Sequence, residues 1–268
     1  MNISFFDLPY RPAKPRARGL NILIDNGLAT NYFEDIVTSH TSLIDMVKFG
    51  WCTAVVTQEI DKKIAILKSL NIQYFFGGTF FEKACQQDKV EEFRMYLHGK
   101  DCQLVEISNG TISLSPERKA KYIKSFAQDF MVLSEVGIKD NDRSKEMSPR
   151  EWVDEIAMDF EAGATYVITE SRESGKSGIA RSNGEVRYGL VNEILESDRY
   201  DVGQLIFEAP NKMLQNYFIQ LQGTNVNLAN IAFSDIVGCE TLRLGLRSDT
   251  LSLFEKQAYV EKPICNVI

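Results

Sequence analysis

Acidic and basic side chains recur just after short apolar runs in this chain: Asp25, Lys48, Glu106 with Ser108, Glu135 followed by Lys139, Glu170 with Arg172, and Glu208. Ionisable groups beside buried apolar segments are costly unless they are paired, hydrogen-bonded or holding a ligand. Their recurrence points to a charged ligand. Several carboxylates near Lys48, Lys139 and Arg172 suit a hard divalent cation together with a phosphorylated or carboxylated substrate. Magnesium is the natural ion, because His and Cys donors for softer metals are scarce. The two histidines, His40 and His98, fall in segments of helical period. Proton transfer is therefore left to Lys, Glu, Asp, Tyr or water. For any single carboxylate the competing reading is an internal salt bridge, such as Glu170 or Glu173 with Arg172.

Neutral residues add weaker signals. Gly77-Gly78-Thr79 could let backbone N–H groups approach an anion, although a glycine pair after a strand is more often a turn requirement. Gly223-Thr224-Asn225-Val226-Asn227 accompanies the last strand, where barrels often bind phosphate, which puts Asn225 and Asn227 among the candidate substrate contacts with Gly78 and Thr79. Trp51 and Cys52 read as packing residues. Glu170 and Arg172, two apart on an expected strand, should face the same way, as should Glu106 and Ser108, with Glu173 turned outward.

These groups need a scaffold that gathers strand ends. Apolar, β-branched or aromatic runs predict strands at Leu20 to Asp25, Leu43 to Lys48, Ile72 to Phe76, Gln103 to Ser108, Met131 to Val136, Tyr166 to Ser171, Leu205 to Ala209 and Val226 to Ile231. Segments of helical period separate most of them. In Glu59 to Leu70, Ile60, Ile64, Leu67 and Leu70 share one face. Ser148-Pro149-Arg150-Glu151 combines an N-cap, a first-turn proline and a capping-box glutamate, and Gly163 marks the stop. Ser115-Pro116 repeats the start signal, while Asn211 to Gln222 and Ser234 to Leu246 give the last two helices. Eight strand-helix units imply an α/β fold, a (β/α)8 TIM barrel in one domain, with its site at the C-terminal ends of the strands. Residues 16 to 250 form that barrel, 1 to 15 a semi-rigid arm of Pro and basic residues, and 251 to 268 a tail.

The 268 residues, 44% hydrophobic and 25% charged, have the make-up of a globular protein. A formal net charge of −7 and a pI near 5.1 supply no global field for nucleic acid or an anionic membrane surface. Five scattered cysteines without a C-x-x-C pair suggest neither a zinc cluster nor a disulfide framework and fit a reducing, cytoplasmic setting. No apolar run is long enough to span a bilayer, and the first residues lack a signal-peptide pattern. The apolar tail residues Leu251, Leu253, Phe254, Tyr259 and Val260 are expected to cover their own barrel, with a homo-oligomer contact as the alternative.

The same residues carry a family resemblance. RGLNILIDNGL at Asp25, DMVKFGW at Lys48, FGGTFFE at Gly77 to Glu82, VEISNGT at Glu106, LSEVGIKD at Glu135 to Asp140, EAGATYVITESRESG at Glu161 to Gly175, FEAPNK at Glu208, NVNLANI at Asn225 and ETLRLGLRSDT ending at Thr250 resemble the phosphosulfolactate synthase family. The match spans most of the chain. It implies a (β/α)8 barrel and a carbon–sulfur lyase acting in the synthetic direction, adding sulfite to phosphoenolpyruvate, on the route to coenzyme M in methanogens. It also implies Mg2+ and an enolase-like strategy, with the metal supporting an enediolate.

The lysine that the family's EVGKK motif offers as general acid falls on Lys139. Glu106, Glu135 and Glu170 are the expected metal ligands, with Asp25 and Glu208 in reserve, and Lys48 and Arg172 are expected to meet substrate or sulfite anions. Arg243 and Arg247 are read either as phosphate contacts or as structural ion-pair partners. Three motifs depart from the family pattern: KFGWGT reads KFGWCT, EVGKK reads EVGIK and GLRGDT reads GLRSDT. The Cys52 position demands an ordinary backbone conformation or a small local shift where the family has glycine. Plant heat-stress-associated proteins resemble the same family, so a protective, non-catalytic role is one alternative. An enol-phosphate enzyme with a different nucleophile is another.

Overall fold

The computed structural model describes residues 5–139, 147–172 and 174–254. Eight strands follow one another in the chain: β1 Asn21–Asp25, β2 Met46–Phe49, β3 Gln73–Phe76, β4 Leu104–Ile107, β5 Met131–Val136, β6 Tyr166–Thr169, β7 Leu205–Glu208 and β8 Asn227–Ile231. Nearly every strand residue is buried, as expected when a parallel sheet is covered on both faces. The ladder runs β3-β2-β1-β8-β7-β6-β5-β4, and β3 and β4 pack side by side where it ends. The eight-unit barrel is therefore present, with each strand within a few residues of its expected bounds.

Nine helices are described: α1 Thr30–Ser39, α2 Ile60–Ser69, α3 Gly78–Gln86, α4 Val90–Gly99, α5 Pro116–Phe126, α6 Pro149–Ala162, α7 Tyr188–Glu196, α8 Lys212–Gln222 and α9 Ile236–Arg243. The starts of α5 and α6 follow the expected chemistry. Ser115 accepts from Arg118 N at the head of α5. Ser148 and Glu151 form the capping box of α6, and Gly163 ends that helix at φ 110°. The final helix is shorter than its apolar period suggests, because a 3-10 turn, Phe233–Asp235, precedes it.

One strand is irregular in a way that matters. The β1–β8 register shifts between Asn21 and Leu23, and Asn230 in β8 has φ 57°. That left-handed residue inside a strand is a bulge, a device that re-aims a side chain.

The N-terminal face of the barrel is closed by the arm. Arg11 pairs with Glu240 at 2.8 Å and donates to Asn225 Oδ1 at 2.9 Å. Arg16 pairs with Asp45, whose carboxylate accepts from Asn21 N. In the tail, Leu253 and Phe254 pack against the core, while Tyr259 and Val260 lie outside the described residues. Among the described residues no helix is long and apolar enough to cross a membrane.

Candidate active site

Charged side chains converge at the C-terminal end of the barrel. Lys48 from β2, Glu106 from β4, Glu135 from β5, Glu170 one residue past β6 and Glu208 at the end of β7 line a cavity of about 540 Å³ with Lys139 and Asn230. Lys48 Nζ is 2.9 Å from Glu106 Oε2, 3.5 Å from Glu208 Oε1 and 3.6 Å from Glu135 Oε2. Lys139 Nζ is 3.0 Å from Glu135 Oε1, 3.6 Å from Glu170 Oε2 and 4.0 Å from Glu82 Oε1. Two ammonium groups thus face five carboxylates, all five of them buried.

Burial and crowding decide which carboxylates hold a proton. Burial raises Glu106 to about 7, with Lys48 opposing that rise. Burial, then the charges of Glu208 and Glu135, raise Glu170 well above the carboxylate range. Burial acts upward on Glu135 too, but Lys139 and Lys48 outweigh it and hold the group down to about 2. Burial would lower Lys139; Glu135, Glu170, Glu82 and Glu106 reverse that and raise it. The carboxylates thus favour the charged form of both lysines, while burial and the neighbouring carboxylates push Glu170 toward its protonated form.

The donor set fits a hard divalent cation. Glu135, Glu170 and Glu208 each offer an oxygen, and these atoms all lie within 4.8 Å of one another. Both Glu135 oxygens and Glu170 Oε2 are buried without a hydrogen-bond partner; Lys48 and Lys139 stand beside them at ion-pair distances of 3.0 to 3.6 Å. A cation there would supply positive charge to three clustered carboxylates and offset the crowding that raises Glu170.

A family model and three sequence relatives agree on one family. A model of the family described as "(2R)-phospho-3-sulfolactate synthase (ComA)" matches residues 9–249. The phosphosulfolactate synthase of Bacillus subtilis (strain 168) is 51% identical over 253 residues, covering 94% of this chain and 100% of that protein. Those of Methanocaldococcus jannaschii and Methanothermobacter thermautotrophicus are 40% identical over 237 residues and 37% identical over 255 residues. They cover 87% and 94% of this chain, and 94% and 98% of their own lengths. The chain belongs to the phosphosulfolactate synthase family. It is accordingly an enzyme, and the mouth of its barrel is the candidate active site.

Within this phosphosulfolactate synthase fold the expected site residues divide. Lys48, Lys139, Glu106, Glu135, Glu170, Gly78, Thr79 and Arg172 all line the one cavity. Glu106 stands beside the cation-compatible trio rather than in it, since Gly78 N donates to its Oε1 at 2.6 Å and Lys48 holds its Oε2. Glu208, kept in reserve, takes its place. Asp25 is spent elsewhere: Gly27 N and Leu28 N donate to it, and Lys63 pairs with it at 2.6 Å.

Asn225 and Asn227 are corrected outright. They precede β8 or begin it, and therefore sit at the N-terminal face, opposite the cavity. Asn227 donates to Gly203 O and Leu205 O and accepts from Leu20 N, while Asn225 bonds Arg11 and Tyr10 O. Arg243 is fully buried at that same end on Asn21 and three backbone carbonyls, which settles its structural reading. Arg247 is absent from the cavity lining.

Local backbone corrects two further expectations. Strand β6 ends at Thr169, so Glu170 and Arg172 do not share a strand face. Arg172 instead adopts φ 58°, its N–H donates to Glu170 Oε1, and its guanidinium donates to Lys139 O at 3.3 Å. Trp51 is 53% exposed at the rim of the cavity rather than packed. Cys52 sits at φ 55°, the left-handed conformation that glycine adopts without strain. The GGT turn needs glycine for space, because a Cβ at Gly78 would lie 2.3 Å from Ser108 Oγ and 2.8 Å from Glu106 Oε1. Glu173 and Asp140 lie outside the described residues.

Two residues escaped sequence reasoning. Asn230 reaches the site through the β8 bulge, its Nδ2 donating to Glu208 Oε1 and its buried Oδ1 unpartnered. Glu82 arrives from α3, one helical turn after Gly78, a spacing that places it on the same helix face.

Proposed function

We propose that this chain is a Mg2+-dependent phosphosulfolactate synthase, adding sulfite to phosphoenolpyruvate to give 2-phospho-3-sulfolactate. The observation that carries the reading is Lys139, its side chain 22% exposed and its ammonium held by Glu135, beside the oxygen trio of Glu135, Glu170 and Glu208 at one cavity. The names of the three relatives support the substrate class.

In this reading the sulfite sulfur lone pair forms a bond to C3 of phosphoenolpyruvate, and the C2–C3 π electrons move towards the substrate carboxylate. Lys139 then gives a proton from Nζ to C2, and solvent restores that proton. Glu135, Glu170 and Glu208 would hold Mg2+, which would supply Lewis-acid stabilisation of the charge that collects on the carboxylate. Lys48 fixes Glu106, Glu135 and Glu208 in place, and Arg172 at the mouth meets the incoming anions. A lysine kept charged by carboxylates is a competent donor once it lies within hydrogen-bond reach of the carbon. A protective, non-catalytic role offers no reason to bury five carboxylates around two lysines, an arrangement that costs stability.

The test is purified protein with phosphoenolpyruvate, sulfite and Mg2+. Product should form, should vanish on chelation, and should fall by about 100-fold or more in Lys139→Ala. Product without sulfite, or full activity in Lys139→Ala, rejects the mechanism.

A further inference from the structure

Among the described residues, Glu82 is the one carboxylate around Lys139 that does not also belong to the cation-compatible trio or to the Lys48 ion pairs. It is 1% exposed. Its two oxygens face different tasks. Oε2 accepts from Thr111 N at 2.9 Å and Ile112 N at 3.1 Å, pinning the loop that follows β4. The adjacent residue of that loop, Gly110, accepts from Lys139 N at 3.0 Å through its carbonyl. Oε1 accepts from Ser108 Oγ and lies 4.0 Å from Lys139 Nζ. One carboxylate thus fixes the loop that holds the Lys139 backbone and faces the ammonium at the end of the same side chain.

We propose that Glu82 is a positioning residue, clamping Lys139 from both ends so that its proton reaches a single face of C2. The proposal rests on the reading of Lys139 as proton donor. Its physical basis is that Glu135 and Glu170, the nearer partners of Lys139, are the groups a divalent cation would engage. When their oxygens turn to the cation, Glu82 remains to keep the ammonium aimed. Gly110 and Thr111 themselves line the cavity, so a shift of their loop moves the wall against which the substrate lies. A displacement of about 1 Å at a reacting group costs about 100-fold in rate.

The reaction creates a stereocentre at C2, which gives a readout that general loosening of the fold does not move. Glu82→Gln keeps the shape and an acceptor for the two loop N–H groups but removes the charge facing Lys139. Ser108→Ala frees the carboxylate to rotate while leaving its charge. Both variants are assayed beside the wild type for kcat, for KM of each substrate, and for the enantiomeric ratio of the product by chiral chromatography.

The expected result for Glu82→Gln is a kcat lower by about tenfold or more, KM values within about threefold, and measurable opposite enantiomer. Ser108→Ala should move in the same direction by a smaller factor. Should Glu82→Gln fail to fold, Ser108→Ala is judged by the same three measures. The proposal is overturned if kcat stays within about threefold of wild type, or if it falls while the product remains a single enantiomer. Wild-type protein that makes no product brings down the proposed reaction instead, which keeps the two failures apart.

Discussion

Replacing Lys48 by methionine tests whether the ring of carboxylates depends on its central cation. The ammonium is 2.9, 3.5 and 3.6 Å from three buried carboxylate oxygens. At an effective dielectric of about 20 each attraction is worth roughly 5 kcal/mol, much of it offset by the several kcal/mol that desolvating an ammonium costs. Methionine fills a similar volume and restores the desolvation term, but the three carboxylates lose their shared partner. Removing one side of a buried pair typically costs about 3–5 kcal/mol, and that is the loss expected here near pH 8.

The sign of its pH dependence follows from Glu106. Lys48 opposes the burial that raises this carboxyl to about 7, so without the lysine the group titrates higher still. A carboxyl whose folded value is raised destabilises the fold above its unfolded value, and the variant's deficit should shrink as pH falls below about 7, where Glu106 is protonated in both proteins. Urea unfolding of both proteins at about pH 8 and about pH 5.5, with and without Mg2+, measures this. A cation on Glu135, Glu170 and Glu208 should restore part of the loss. A deficit under about 1 kcal/mol at the higher pH, or one that grows on acidification, would refute the electrostatic account.

Three further outcomes follow from the geometry. Glu208→Gln should weaken Mg2+ binding by about tenfold or more, and in the unaltered protein binding should release a proton from Glu170 and weaken as pH falls, measured by calorimetry in two buffers of different ionisation enthalpy. Gly78→Ala should abolish activity and cost about 1–3 kcal/mol in chemical unfolding, because the new Cβ meets Ser108 and Glu106, both fully buried. Asn227→Ala should cost about 1–3 kcal/mol by leaving Leu20 N without an acceptor, while KM for phosphoenolpyruvate stays within about twofold.

The barrel was legible because each strand is a short apolar run, α5 and α6 open on Ser-Pro, and α2, α8 and α9 show apolar residues at helical spacing, whereas α1, α3, α4 and α7 start without a side-chain cap. The charged half of the site was legible for the same reason: Lys48, Glu106, Glu135 and Glu208 sit at strand ends, where alternation and burial leave an ionisable side chain conspicuous. Asn225 and Asn227 misled because the pull of the Gly223-Thr224 turn overrode chain direction, which already sets both at the N-terminal end of a strand that runs toward the mouth. Both precede the residues that rise to the mouth, whereas Asn230 reaches it through a bulge whose left-handed backbone no pattern of residue types announces. Asp25 misled differently, since its true partner, Lys63, comes from the neighbouring helix α2 and the pairing exists only after packing.

The placement of charge also explains why the two ends of the barrel can carry similar chemistry with opposite purposes. At the N-terminal face Arg243 is saturated by carbonyls and Asn21, while Arg11 and Glu240 neutralise each other, so nothing is left to offer a ligand. At the C-terminal mouth five carboxylates share two lysines, and Glu135 and Glu170 keep buried oxygens with no hydrogen-bond donor. A buried polar network that is fully satisfied rigidifies a fold, whereas one left short of positive charge stores a demand that a cation and a substrate can meet. The imbalance at that end, rather than the presence of charge, is what distinguishes a site from a structural network in this barrel.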